Sequence, residues 1–502
     1  VEEFVMLLFT RSVLKIGLLA FLACSSLRAE VTLPAIFGDH MVLQQGCPLP
    51  IWGKAVPGES VLVTLGQQSA ETVAAADGRW RVMLRPLSSS PDSMELVVQG
   101  KNRIEISDVL IGDVWLCAGE GNMDYPLADA VGGKEDPGNE GDRYLRFFMA
   151  DKTSSEKPDH LGSGVWVVCT EDSAEAFSAV GYFFARDLRN ARQRPIGMIQ
   201  CTWKNSPIQS WISHQGLAAA PSFQHDPVKS PSGIVNQKTP SALYNGMISP
   251  LIPYAITGTI WYQGESNEGL DALEYRRLFP RLIRDWRKQW NTGPLPFYFV
   301  SPAGFGDEEG SSVEEFLLEN QKPSRAIPWL REAVAGALTL PNTGMAVATD
   351  LGLPDELYPP DKLDVGRRLA LLARRRVYGE EVIDSGPVFE SMHGEGAKIR
   401  VKFKVIGSTL TLGVSPFQPE DASPVAVTHL TGFALLGKEG KWFPAKGVIE
   451  GDTVQLSSDA VPIPLEVRYD WGGFPKGNLY NKEGLPAAPF RTDTNQPVNF
   501  SN

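Results

Sequence analysis

The chain has 502 residues, more than one ordinary domain holds, so two or three domains are expected. A hydrophobic fraction of 43% and a charged fraction of 21% suit a globular protein with sizeable cores, and 48 glycines with 38 prolines call for many turns. A net charge of −12 argues against nucleic acid or an anionic membrane surface as the main partner, and leaves neutral glycans, small molecules or other proteins.

The N-terminus reads as an export signal over residues 1–29. Arg11 and Lys15 precede the apolar run Ile16–Ala23, and small residues around Ser25-Ser26 offer a cleavage site. The run is too short for a good membrane span. The expected location is secreted or periplasmic, with Cys24 as an alternative lipoprotein acceptor. Cys47, Cys117, Cys169 and Cys201 are sparse and lack metal-ligand spacing, which argues against a disulfide framework or zinc. Cys117, Cys169 and Cys201, in apolar surroundings, are expected to be buried free thiols.

Residues 30–105 carry short apolar or alternating runs, among them Pro50–Gly53, Ser60–Leu65 and Arg79–Leu84, separated by turn signals at Pro57-Gly58 and Asp77-Gly78. Strands at this spacing predict a small β-sandwich-like domain. From 106 to 383 strands alternate with helices: Ser178–Arg194, Asp271–Gln289 and Lys362–Val377 have helical periodicity, while Pro195–Gln200, Ala255–Tyr262, Pro296–Val300 and Gly344–Thr349 read as buried strands. This alternation predicts an α/β domain with a mostly parallel sheet and helices on both faces. The stretch Thr202–Pro240 reads as long loops. Residues 384–502 return to strands, a C-terminal β domain.

The run Val114–Asn122 reads V-W-L-C-A-G-E-G-N, a buried strand ending in a Gly-rich turn. In α/β hydrolases that geometry presents the nucleophile. Continued to Met123, the run resembles the S-G-Q-S-N-M block of the sialate O-acetylesterases, a carbohydrate-esterase branch of the SGNH hydrolases. Further segments match in the same order. They are Phe37–Gln44, Ser241–Ile248 (containing Asn245), Ile260–Asn267 and the tail from Asn478-Leu479-Tyr480-Asn481 to Arg491-Thr492. The resemblance covers nearly the whole chain after residue 29. It implies an SGNH-type three-layer α/β/α domain and a carbohydrate partner, an acetylated sialic acid or a polysaccharide side chain. No cofactor or metal is implied.

Carried over residue by residue, the resemblance places Gly121 at the family's nucleophilic serine. The family's D-x-I-H-P segment corresponds to Asp355-Glu356-Leu357-Tyr358-Pro359, which puts Tyr358 at the base and retains Asp355 as the acid. The oxyanion turn W-G-G-T reads Trp203-Lys204-Asn205-Ser206, whereas the segment holding Gln263 and Asn267 survives whole. Together with Asn245, the residues Trp203, Asn205, Gln263 and Asn267 are the candidates for oxyanion and substrate contacts. Acyl transfer by a serine needs a hydroxyl and a base, and a phenol with an ordinary pKa near 10 is a poor base at neutral pH. An exported, catalytically inactive carbohydrate-binding relative is therefore expected. The alternative is an active carbohydrate O-acetylesterase with relocated residues: Ser206 or Ser266 as nucleophile, His214 or His225 as base. Glu120, Glu265 and Asp355 are expected to border the same pocket; two opposed carboxylates would be the ingredients of a glycosidase, but acids solvated or hydrogen-bonded in a disused site are the better account. Trp261 and Tyr262 are expected in the core, while Trp203, Trp211 and Tyr358 are equally suited to packing or to stacking on sugar.

Overall fold

The computed structural model describes residues 30–133, 141–218, 234–267, 272–306, 327–405, 407, 409–416 and 427–494. The segment 1–29 read as an export signal, His225 and part of the stretch read as long loops lie outside them. Among the described residues no helix is long and apolar enough to cross a membrane.

The architecture is mixed α/β, with one large mixed sheet and additional β-sheets. In the N-terminal region, β1 (Val42–Gln44), β2 (Leu49–Lys54), β3 (Ser60–Leu65), β4 (Gln68–Val73), β5 (Arg79–Leu84) and β6 (Ser90–Gln99) precede the long strand β7 (Arg103–Gly119). Strands β2 and β5 form an antiparallel pair, and β3 pairs with both β4 and β6. Alternation in β3 and β5 buries every second residue, the signature of strands with one covered face.

Strand β7 joins this region to the centre. Its first half pairs antiparallel with β6, and its second half pairs parallel with β10 (Ile196–Thr202) on one side and β11 (Gly258–Tyr262) on the other. The order continues through β12 (Phe297–Ser301) and β13 (Thr343–Val347) beyond β11, and through β8 (Asp142–Ala150) and β9 (Gly164–Cys169) beyond β10. From β13 across to β9 every pairing is parallel except β8 with β9.

Side chains of β7 alternate between two cores. Trp115 and Cys117 enter a cluster with helix α1 (Ala179–Arg192) and α4 (Leu363–Arg376), whereas Val114, Leu116 and Ala118 enter another with α2 (Ala272–Trp290) and α3 (Ile327–Ala335). A strand buried on both faces is apolar without interruption, which is why Val109–Ala118 shows no polar alternation apart from Gly112 and Asp113. The helix starting at Ala179 is set by Ser178, whose Oγ accepts from Gly181 N at 3.1 Å. Trp261 and Tyr262 are core residues, as their sequence context implies, and Cys117, Cys169 and Cys201 are buried free thiols.

The C-terminal strands, from Val388–Glu395 to Phe490–Arg491, form separate antiparallel sheets with their own hydrophobic cluster. Two buried arginines tie them to the centre. Arg331 donates to the carbonyls of Pro302 and Ala303 and to those of Gly472 and Gly473, at 2.5–2.8 Å. Arg368 grips Asp350 through two bonds of 2.6 and 2.7 Å, and Tyr480 donates to the same carboxylate at 3.0 Å. The basic run 367–376 thus buries one of its arginines as a structural clamp, because the Asp350 carboxylate pairs with it.

Candidate active site

Strand β7 is where the order of the sheet reverses, since the chain returns to one side of it as β10 and to the other as β11. Such a switch point opens a crevice at the carboxyl ends of the strands. Gly119, Thr202 and Tyr262 end these three strands in mutual register. The segments 120–123, 203–206 and 263–267 therefore emerge side by side, although they are far apart in sequence. Gly119 is needed there: at φ 146° a Cβ would lie 2.1 Å from the Tyr262 carbonyl oxygen.

Tyr358 arrives from the far side, in the segment between β13 and α4, and its ring lies directly on Gly121. A Cβ on Gly121 would stand 2.1 Å from Tyr358 Cε1 and 2.5 Å from Cζ. The position matched to the family's nucleophile and the position matched to its base are thus brought together, but the phenol ring fills the volume that a serine side chain would need. Burial and the carboxylates of Glu120 and Glu265 push the Tyr358 phenol well above its ordinary pKa, so it stays neutral and supplies no base. The Lys204 ammonium sits over its ring at 4.4 Å from the centroid, a cation–π contact.

Asn205 adopts a left-handed conformation, φ 61°. Asparagine is among the residues that tolerate that region best after glycine, so this position holds a backbone conformation that glycine also adopts freely. Ser206 is fully buried, donates to the Trp203 carbonyl at 2.6 Å and accepts from Trp211 Nε1 at 3.0 Å. It is a structural hydroxyl. Trp211 is a core residue and Trp203 is half-buried.

Beneath this surface lies a dense polar network. Glu120, fully buried, accepts through Oε1 from Gln263 Nε2 at 2.9 Å, Gly264 N at 3.1 Å and Ser266 N at 2.9 Å, and through Oε2 from the Ser266 hydroxyl. Gln263 also donates to Asn267 Oδ1 at 2.9 Å, and Asn267 donates to Gln209 Oε1 at 2.9 Å. Gln263 and Asn267 thus lie in the site, with their amide donors committed to protein partners. Asn122 donates to Glu265 and to the Leu357 carbonyl, and its Oδ1 accepts from Lys362 Nζ at 2.5 Å.

Burial, then the charge of Glu120, raises the Glu265 carboxyl to about 8. Burial lowers the Lys362 ammonium to about 7 against the pull of Glu265 and Asp361. Lys362 was not legible in the sequence, since a lysine at a helix start reads as solvated; the only signal was its place four residues after Tyr358.

The remaining candidates sit elsewhere or play other parts. Asp355 is exposed, and among the described residues it makes no hydrogen bond to Tyr358. Asn245 is buried in a single π turn and donates to the carbonyls of Ser155 and Glu156 at 3.1 and 3.0 Å, holding the loop after β8. His214 is exposed on a short helix. Among the described residues no group of three His, Cys, Asp or Glu side chains could hold a metal ion.

Two outcomes are expected. Gly121→Ala forces a methyl against the ring and costs about 1–3 kcal/mol of stability by overpacking. Tyr358→Ala frees the space, so in Gly121→Ala/Tyr358→Ala that penalty disappears, and a double-mutant cycle by urea unfolding gives coupling above 0.5 kcal/mol. Equal costs of Gly121→Ala in both backgrounds would contradict the contact.

The second outcome concerns pH. A carboxyl raised from 4.5 to about 8 on folding stabilises fully below 4.5 and loses that contribution as pH rises through 8. Glu265→Gln removes the loss. Its stability relative to wild type is expected to improve from pH 5 to 8, by at most about 1.4 kcal/mol per pH unit. A difference independent of pH would show that Glu265 titrates normally.

A protein-family model described as "Carbohydrate esterase, sialic acid-specific acetylesterase" matches residues 112–358. The human sialate O-acetylesterase is 28% identical over 507 residues, covering 90% of this chain and 90% of that protein. The rat (Rattus norvegicus) sialate O-acetylesterase is 29% identical over 521 residues, covering 90% and 92%. Among solved structures, a carbohydrate acetylesterase from Xanthomonas citri is 36% identical with a TM-score of 0.80, over 92% of this chain and 100% of that one. The chain belongs to the sialate O-acetylesterase family of carbohydrate esterases.

Proposed function

We propose that this chain is a family member that keeps the carbohydrate cleft and has lost acetyl-ester hydrolysis. The observation that carries this reading is the Tyr358 ring lying where a side chain on Gly121 would stand, 2.1 Å from its Cβ position. Hydrolysis through an acyl-enzyme needs a heteroatom at that point to attack the ester carbon, and a base to take its proton. Glycine has no heteroatom, and a neutral phenol takes no proton. In this reading the oxyanion turn at Trp203-Lys204-Asn205 and the Tyr358 ring line a binding surface for an acetylated sialic acid or a polysaccharide side chain, with Asp355 at its rim. The same reading includes an SGNH-type three-layer centre at 106–383 between β regions at 30–105 and 384–502. It also includes export directed by residues 1–29.

A second reading has one specific observation in its favour, the hydrogen bond from the Ser266 hydroxyl to Glu120. A carboxylate can accept a serine proton, but this one also takes three N–H donors on its other oxygen and is fully buried as the centre of the polar network.

Hydrolysis of aryl acetates and O-acetylated sugars separates the two. Wild type is expected to match a no-enzyme control, and Gly121→Ser alone is expected to add nothing because the ring still opposes it. Gly121→Ser/Tyr358→His is expected to gain measurable turnover, which Asp355→Asn lowers. Wild-type turnover abolished by Ser266→Ala would overturn the proposal.

A further inference from the structure

A groove of about 390 Å³ lies among the N-terminal strands and shares no lining residue with the cleft at Gly121. Its walls come from four directions: β2 and β5, the end of β4, the loop at His160-Leu161, and the segment Ser249–Pro253. That volume is of the size that holds a small ligand.

The cross-strand register decides what faces out. Trp52 stands opposite Arg81 and Lys54 opposite Arg79, while Gly53 and Trp80 occupy the alternate, inward position between them. One face of the pair therefore carries an aromatic ring and three cations. Lys54, Arg79 and Arg81 are all exposed. Like charges directly opposite each other on a sheet destabilise the pairing, and here they do so in a chain whose net charge is −12.

Neighbouring carboxylates do not cancel this arrangement. Asp77 approaches Arg79 at 3.5 Å, with both side chains more than half exposed. Asp159 is engaged with the backbone N–H groups of His160, Leu161 and Gly162. Arg79 also donates to His160 Nε2 at 2.9 Å, which fixes its guanidinium at the rim. Lys54 and Arg81 have no ion-pair partner among the described residues. Trp52 is held edge-on by Phe37 at 4.6 Å between ring centroids, so its position is set without a ligand.

We propose that this groove binds a carboxylate-bearing sugar, the acid group held by Lys54, Arg79 and Arg81 and the ring packed on Trp52. Charge complementarity selects the acid. The choice of a sugar over another small acid rests on the carbohydrate reading above. Two sources share the chemistry, a sialic acid and a uronic acid, and the groove is assigned to the feature they have in common.

The test uses the full chain and unesterified ligands, so its result does not depend on whether acetyl esters are hydrolysed. Binding of N-acetylneuraminic acid, glucuronic acid, N-acetylglucosamine and acetate is measured by calorimetry or ligand-observed NMR at low and high salt. Both sugar acids are expected to bind, more weakly as salt rises, while the neutral sugar and acetate bind much less. A preference between the two acids identifies the source. Arg81→Ala and Lys54→Ala are surface changes that spare folding, and each is expected to weaken binding about ten-fold. Trp52→Ala should weaken it further, with thermal unfolding as the control for integrity. Absence of binding by both acids, equal binding of N-acetylglucosamine or acetate, or affinity unchanged in Arg81→Ala and Lys54→Ala would each overturn the proposal. Self-association through the patch, relieved by the same variants, would also overturn it by assigning the surface to a second copy.

Discussion

Two side chains compete for one volume at the mouth of the central sheet, and the structure gives that volume to Tyr358. Because the ring of Tyr358 lies on Gly121, any side chain at 121 must displace an aromatic group that is itself half-buried and topped by Lys204. Neither substitution stands alone. A serine at 121 would need a slimmer or shifted neighbour at 358, and a histidine at 358 would face a position with no hydroxyl to activate. Gly121 and Tyr358 are thus matched in packing terms, the ring filling the space that the glycine leaves.

Below that contact, the polar network shows what it takes to keep such a site folded. Glu120, Glu265 and Lys362 are charged-type residues withdrawn from water, and each would cost several kcal/mol if left unpaired. Glu120 avoids that cost by accepting four donors from the 263–266 turn. Glu265 and Lys362 do so in part by shifting toward their neutral forms, with Asn122 between them as the common partner. Asn122 thus joins β7 to the start of α4, and Gln263 and Asn267 join β11 to the turn at 206–209. These bonds hold three segments in register at the mouth of the sheet.

The alternation of strands and helices was legible because a strand covered on both faces has a distinctive apolar run, and Val109–Ala118 and Gly258–Tyr262 have it. Strand β6 was not, since it opens with Ser90-Pro91-Asp92-Ser93, which reads as a turn. Strand β8 hid behind its charges: Arg146 is buried there only because Asp108, from β7, meets it at 2.6 Å. The meeting of Gly121 with Tyr358 could not be read from spacing, as 236 intervening residues fold between them; resemblance alone placed them together. Lys362 and the groove at Trp52 escaped for the same reason, because burial and cross-strand facing are made by distant segments. Among residues singled out from the sequence, Gln263, Asn267 and Asn205 lie at the cleft, whereas Asn245 serves the loop after β8 and Ser206 the local core.

The central claim is that no hydroxyl in the cleft is an activated nucleophile. A serine-reactive fluorophosphonate forms a stable covalent bond with an activated serine, independent of which ester is the substrate. Intact-mass analysis after incubation with excess probe reads the claim without a turnover assay. The account predicts an unmodified chain, while Gly121→Ser/Tyr358→His gains one adduct that maps to residue 121. A stoichiometric adduct on the wild-type chain, mapped to Ser266 or Ser206, would contradict it.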